Sequence, residues 1–306
     1  KVVAKDTNGT KVETTYTPTV TPVTPTAEPK ETTGKQGQPQ TQDTESMFKQ
    51  GDEVAPIDKT TVKLVDPSGN EVTTMPAMKD GKEVGTYTID PTTGVITFQP
   101  NKDFTGTPDP AKVTAADKNG TKVETTYTPT VTPVVPEGQD KTTTGFQGKT
   151  QTGTVTFTAG DTEFPIDAKV PATFEDGTTR KEVPGEGVYT VAEDGTVTFV
   201  PENQFTGTAK GVTVKRVDTN GTPATAKYTP IVIPVVPEGF DNVTTGVQGE
   251  TQNGKPYFKP GHEDTPIDKN VPPKFINPTT GQPTDETTIP AKTPGGKEIG
   301  TETHYW

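Results

Sequence analysis

Any chemistry in this chain would have to come from a narrow stock of side chains. The 306 residues hold two histidines, His262 and His304, two serines, Ser46 and Ser68, and no cysteine. A hydroxyl or thiol nucleophile needs an imidazole or another base within hydrogen-bond reach. Residues 136–236 contain no Ser, His or Cys, so that pairing cannot be built there. His262 and His304 lie far apart and lack ligand-spaced companions, which argues against zinc. Carboxylates are plentiful but scattered, and such groups in an acidic chain are ordinarily solvated.

Three strings imitate binding loops. Asp-Xaa-Asn-Gly occurs at Asp6, Asp117 and Asp218 and looks like the start of a calcium loop. Calcium needs six or more oxygens and usually a distal bidentate Glu. Alternating runs flank each string, so the spacing predicts a tight hairpin turn in which Asn-Gly supplies positive φ. The same Asn-Gly-Thr is formally a glycosylation sequon, which the turn makes unnecessary. Gly145-Phe-Gln-Gly148 and its equivalents precede no helix, so they offer no phosphate site and read as turns or glycine-rich strand starts. Asn101, Asn203, Gln147, Gln151, Gln248 and Gln252 could enter Lys–Asn or Thr–Gln crosslinks. Their recurrence marks a shared fold, and no acid–Lys–Asn trio on apolar strands is evident. The expectation is no catalytic residue, no cofactor and no metal site.

The elements that carry these residues repeat. Asp-Xaa-Asn-Gly-Thr recurs 111 and then 101 residues apart. Gly-Xaa-Gln-Gly starts at Gly34, Gly145 and Gly246, Pro-Ile-Asp at Pro56, Pro165 and Pro266, and Tyr-Thr-Pro at Tyr16, Tyr127 and Tyr228. That period exceeds the roughly 20–50 residues of a solenoid unit and matches a whole domain. Four pieces follow: 1–24 as the tail of one repeat, 25–135 and 136–236 as full repeats, and 237–306 as an incomplete one. In the second repeat, Tyr189-Thr-Val and Thr196-Val-Thr-Phe199 flank Glu193-Asp194-Gly195 as a hairpin. Val212–Val217 and Ala224–Ile233 flank Asp218-Thr-Asn-Gly221 as another. No capped amphipathic helix is legible. The expected architecture is all-β: tandem β-sandwich-like repeat domains of about 100 residues, joined end to end by Pro-rich junctions. The junctions, Pro133-Val-Val-Pro136 and Pro234-Val-Val-Pro237, favour extended backbone and a stiff connection.

Composition narrows the function. A net charge of −12 repels nucleic acid and anionic lipid. Mean hydropathy is −0.71, and no apolar run approaches the roughly 18 residues of a membrane span. Absent cysteine fits a cytosolic protein or a bacterial surface protein that does without disulfides. Phe146, Phe240, Tyr257 and Phe258 are the best surface aromatics, with core packing as the commoner fate. The first repeat is longer around Leu64-Val-Asp-Pro-Ser-Gly69, and the third shares that form at Asn277-Pro-Thr-Thr-Gly281. Thr303-His-Tyr-Trp306 breaks the pattern where Gly85-Thr-Tyr-Thr-Ile89 leads one to expect a strand. A third repeat without its final hairpin should leave an edge that frays or aggregates.

The ordered strings Thr150-Gln-Thr-Gly-Thr-Val-Thr-Phe157, Val183-Pro-Gly-Glu-Gly-Val-Tyr-Thr190, Phe205-Thr-Gly-Thr-Ala-Lys-Gly-Val-Thr-Val214, Asp218-Thr-Asn-Gly-Thr222 and Thr229-Pro-Ile-Val-Ile-Pro-Val-Val-Pro-Glu-Gly239 resemble the repeat domain of CshA-type surface adhesins. The resemblance covers essentially the whole chain. It implies beads in a fibril on Gram-positive cells, extracellular and attached to the cell wall through a C-terminal signal. Host ligands, including fibronectin, are bound there by a separate N-terminal region, and neither region matches this chain. The expected role is a non-enzymatic stalk that projects an adhesive tip, as a monomeric rod. It meets host matrix or other cell surfaces through regions outside residues 1–306, with no nucleic acid and no membrane insertion. The alternative is that the repeats themselves are multivalent low-affinity modules for host protein or glycan.

Overall fold

A computed structural model describes residues 1–304. Among them are strands, turns and no helix. The β-branched, alternating segments become strands because one face of each buries apolar side chains while the other stays wet. Pro223–Ile233 alternates buried and exposed positions along nearly its whole length.

Each full repeat is two packed sheets. In residues 25–135 one sheet has the order Gln40–Gln42, Ile96–Pro100, Lys82–Ile89, Thr74–Lys79. The other runs Lys30–Lys35, Lys122–Thr132, Ala111–Asp117, Ile57–Val65, Glu71–Val72. Residues 136–236 repeat the plan. One sheet holds Gln151–Thr154, Thr196–Pro201, Gly187–Val191 and Arg180–Val183, the other Lys141–Phe146, Pro223–Ile233, Val212–Val217 and Thr173–Phe174. Pairing is antiparallel except at one place in each repeat. The first long strand lies parallel to the last, Lys30–Lys35 beside Lys122–Thr132 and Lys141–Phe146 beside Pro223–Ile233. The chain then changes sheet through Gly-Xaa-Gln-Gly. The glycine that opens this turn has no room for a side chain: a Cβ on Gly145 would meet Gln151 Cγ at 2.8 Å.

The cores are small and aromatic. Tyr87, Phe98 and Tyr127 are fully buried in the first repeat, Tyr189, Phe199 and Tyr228 in the second. Tyr189 stacks on Phe199 at 4.6 Å. Tyrosine can be buried here because each hydroxyl has a partner. Tyr228 Oη lies 2.7 Å from Thr143 Oγ1, which donates to Gln151 Oε1 at 2.6 Å, and Gln151 Nε2 donates to the Ile231 carbonyl at 3.0 Å. Thr32, Gln40 and Tyr127 form the same chain. Burial raises both tyrosines above their usual pKa.

The extra length of the first repeat forms a hairpin extension. Asp66 Oδ1 accepts from the Ser68 and Asn70 amides, and Glu71–Val72 folds back on Ile57–Val65. In residues 237–304 there are two antiparallel strand pairs, Glu238–Phe240 with Tyr257–Lys259 and Thr288–Lys292 with Glu298–Thr303, and no buried apolar side chain. The strand that the sequence leads one to expect here runs as far as Thr303. Glu298–Thr303 is a strand, paired as Lys82–Ile89 pairs with Thr74–Lys79. Tyr305 and Trp306 lie outside the described residues.

Candidate functional site

The Asp-Xaa-Asn-Gly strings are hairpin turns, as their context predicts. Asp218 Oδ1 accepts from the Asn220 amide at 2.9 Å and the Thr222 amide at 2.8 Å, and the Gly221 amide donates to the Asp218 carbonyl at 2.9 Å. Asp117 and Asp6 repeat this geometry. One detail differs from the expectation that Asn and Gly share the positive φ. Only the glycines adopt it, at +86° for Gly9, +82° for Gly120 and +83° for Gly221. That is the arrangement of three-residue hairpin loops ending in a left-handed glycine. The Pro-Ile-Asp motif props the turn, since the Pro56 and Pro165 carbonyls each accept an amide from it at 3.0 Å.

The most constructed polar site lies where repeats meet. Gln36, 4% exposed, closes the linker onto its own repeat. Its Oε1 accepts from the Val134 amide at 3.1 Å, and its Nε2 donates to the Lys102 carbonyl at 2.8 Å. Gln147 does the same with the Val235 amide and the Asn203 carbonyl. From the other side, the backbone of the next repeat presses on the linker. Gly51, Gly160 and Gly261 touch Thr24, Val135 and Val236 so closely that a Cβ would fall 2.4 Å from each carbonyl oxygen. A linker of extended Pro-Val-Val-Pro is thus held from both ends.

Side chains of one repeat also reach the next directly. Asn220 Nδ2 donates to the Gln36 carbonyl at 3.3 Å, and Gln36 Nε2 to Thr222 Oγ1 at 3.1 Å. Lys35 Nζ lies 2.6 Å from Asp161 Oδ2, and Gln38 Nε2 2.8 Å from Glu163 Oε2. The hydrogen bond from Lys35 holds the Asp161 carboxyl below its ordinary pKa, and Asp161 raises Lys35. At the second junction Phe146 lies over His262 with ring centroids 4.4 Å apart, and Lys149 Nζ is 3.4 Å from Asp264 Oδ2.

This arrangement can hold two domains in register, and its groups are paired rather than poised for reaction. Among the described residues no three His, Cys, Asp or Glu side chains gather as a metal site. His262 and His304 pack on different rings, Phe146 and Phe275. Asn101 donates to the Glu83 carbonyl. The Gly-Xaa-Gln-Gly strings, read as plain turns, hold more than the sequence suggested: the glutamine is the linker's clamp. Phe146 belongs to the junction, not to a core.

The family described as the surface adhesin CshA repetitive domain matches residues 22–131, 133–232 and 234–302. Among solved structures, repeat domain 13 of the fibrillar adhesin CshA from Streptococcus gordonii is 58% identical, over 23% of this chain and 90% of its own, with a TM-score of 0.15. Drosophila N-cadherin EC1–3 is 14% identical, over 69% of this chain and 68% of its own, with a TM-score of 0.26. Neither TM-score is high enough for superposition to bear on the fold. No curated protein sequence matches the chain. The family match in three consecutive blocks identifies the chain as a member of the surface adhesin CshA repetitive-domain family, a run of extracellular adhesin repeats.

Proposed function

We propose that this segment is part of the stalk of a bacterial fibrillar adhesin, a stiff non-enzymatic spacer that holds an adhesive tip away from the cell wall to which the fibril is attached. The observation that carries this reading is the doubly held linker. Gln36 and Gln147 bind its amides from one side, and Gly160 and Gly261 bear on its backbone from the other. A spacer gains from such contacts because they remove hinge freedom, whereas a flexible tether would use Gly/Ser. The acidic surface keeps neighbouring fibrils apart.

Small-angle X-ray scattering of the full chain tests this. Domains of about 13 Å radius of gyration laid end to end give a rod of roughly 100 Å maximum dimension. A compact particle overturns the stalk.

One observation favours the second reading, that the repeats bind ligands themselves. Phe240 and Tyr257 are exposed, with centroids 5.8 Å apart, where the second repeat has exposed Gln139 and Thr156. If this pair binds host protein or glycan, Phe240→Ala lowers retention of the chain on a host-matrix array; equal retention removes the case.

A further inference from the structure

The two junctions use different residues at matched positions. Counted from the clamping glutamine, Lys35 and Phe146 are equivalent, as are Gln38 and Lys149. Counted from the pressing glycine, Asp161 and His262 are equivalent, as are Glu163 and Asp264. At the first position a cation meets a carboxylate at one junction, and a ring meets a ring at the other. At the second position a neutral amide donates to a carboxylate at one, and an ammonium pairs with a carboxylate at the other. Both sides of the first contact have changed together. The shared backbone contacts hold any two repeats, and these side chains differ from junction to junction.

We infer that each junction is keyed, so that a repeat docks best on its own neighbour and neighbours are not interchangeable. This rests on the stalk reading and adds order to it. The key also specifies partners for the two open half-junctions. The face carrying exposed Asp52 and Val54 fits a repeat with Lys or Arg before its clamping glutamine and an apolar residue two places after it. The turn carrying exposed Val247 and Glu250 fits a repeat with an apolar or aromatic residue after its pressing glycine and a cation two places further on. In each case the partner is another copy of this repeat. A mismatched neighbour would set Lys35 against an imidazole, or Phe146 against a carboxylate.

The test is a double-mutant cycle at the first junction of the full chain. With no native cysteine, spin labels can be placed at exposed Thr88 and Thr190, one on each repeat, and their distance distribution read by pulsed electron paramagnetic resonance. Lys35→Phe and Asp161→His each create a mismatch, and together they rebuild the ring pair of the second junction. Each single variant should broaden the distribution about twofold and the double should return it to the wild-type width. A double variant as broad as the singles, or singles as narrow as wild type, overturns the key and leaves the rod intact. A broad wild-type distribution overturns the key together with the stalk reading beneath it.

Discussion

Gly160→Ala tests the junction with one carbon atom. Its Cβ would sit 2.4 Å from the Val135 carbonyl oxygen and 2.6 Å from the Val135 carbonyl carbon and amide nitrogen. All three are backbone atoms, so no side chain can swing aside. Restoring a contact of about 3.5 Å requires the linker to retreat by about 1 Å. On the linker's other side the Val134 amide is already 3.1 Å from Gln36 Oε1, so the linker cannot retreat by that much without displacing the amide from its acceptor. Overpacking of this kind costs about 1–3 kcal/mol, and a buried amide without its acceptor costs about 1–3 kcal/mol more. The entropic benefit of replacing glycine offsets about 0.4–1 kcal/mol. We predict a net loss of about 1–5.6 kcal/mol for the docked linker, which at 1.4 kcal/mol per decade is about 5- to 10,000-fold faster hydrogen exchange at Val134. Amides of the buried core residues Phe98 and Phe199 should keep their protection. Exchange at Val134 within about twofold of wild type, with both cores intact, would falsify the claim that Gly160 holds the linker.

Other perturbations probe the repeats separately. Tyr228→Phe removes one member of the Tyr–Thr–Gln chain while Thr143 and Gln151 keep each other, so urea denaturation should show a loss of about 1 kcal/mol, matched by Tyr127→Phe. Glu186, 6% exposed, accepts from the Lys210 amide at 3.0 Å and the Tyr189 hydroxyl at 3.2 Å. Burial, with the Glu186 charge second, pushes Tyr189 up. Glu186→Ala should cost about 2–3 kcal/mol in urea and Glu186→Gln much less, whereas equal losses would show that the hydrogen bonds do not matter. The lowered Asp161 carboxyl contributes fully above the ordinary carboxylate range, and its contribution is lost as pH falls through the lowered value. Inter-label distances across the first junction should therefore hold from about pH 5 to 9 and spread below about pH 4. Asp161→Asn should lose that acid transition.

The strands and hairpins were legible because their signals are local. Glu193-Asp194-Gly195 and Asp218-Thr-Asn-Gly221 carry turn chemistry within a few residues, and alternating Thr and Val marks the half-buried faces. The junction was only half legible. Its prolines announced an extended linker, but Gln36 binds Val134 across most of a repeat and Gly160 acts on the repeat before it. Neither contact has a periodicity to read. The available signals were the fixed five-residue spacing from the pressing glycine to Pro-Ile-Asp and the glutamine inside Gly-Xaa-Gln-Gly. Phe146 was ambiguous for a related reason: an aromatic packed against the next domain looks, in sequence, like one packed in its own.

The parallel pairing within each repeat decides how the molecule carries load. The chain enters through Lys30–Lys35 and leaves through Lys122–Thr132, side by side and pointing the same way. Tension on the two ends drags these strands in opposite directions along their length, across the hydrogen bonds between them. The rungs from Tyr127 opposite Lys30 to Thr132 opposite Lys35 then bear the force together in shear rather than opening one at a time. Lys141–Phe146 and Pro223–Ile233 repeat the geometry. A pull transmitted along the chain meets the same transverse ladder in both complete repeats, and each repeat resists until the whole ladder slides.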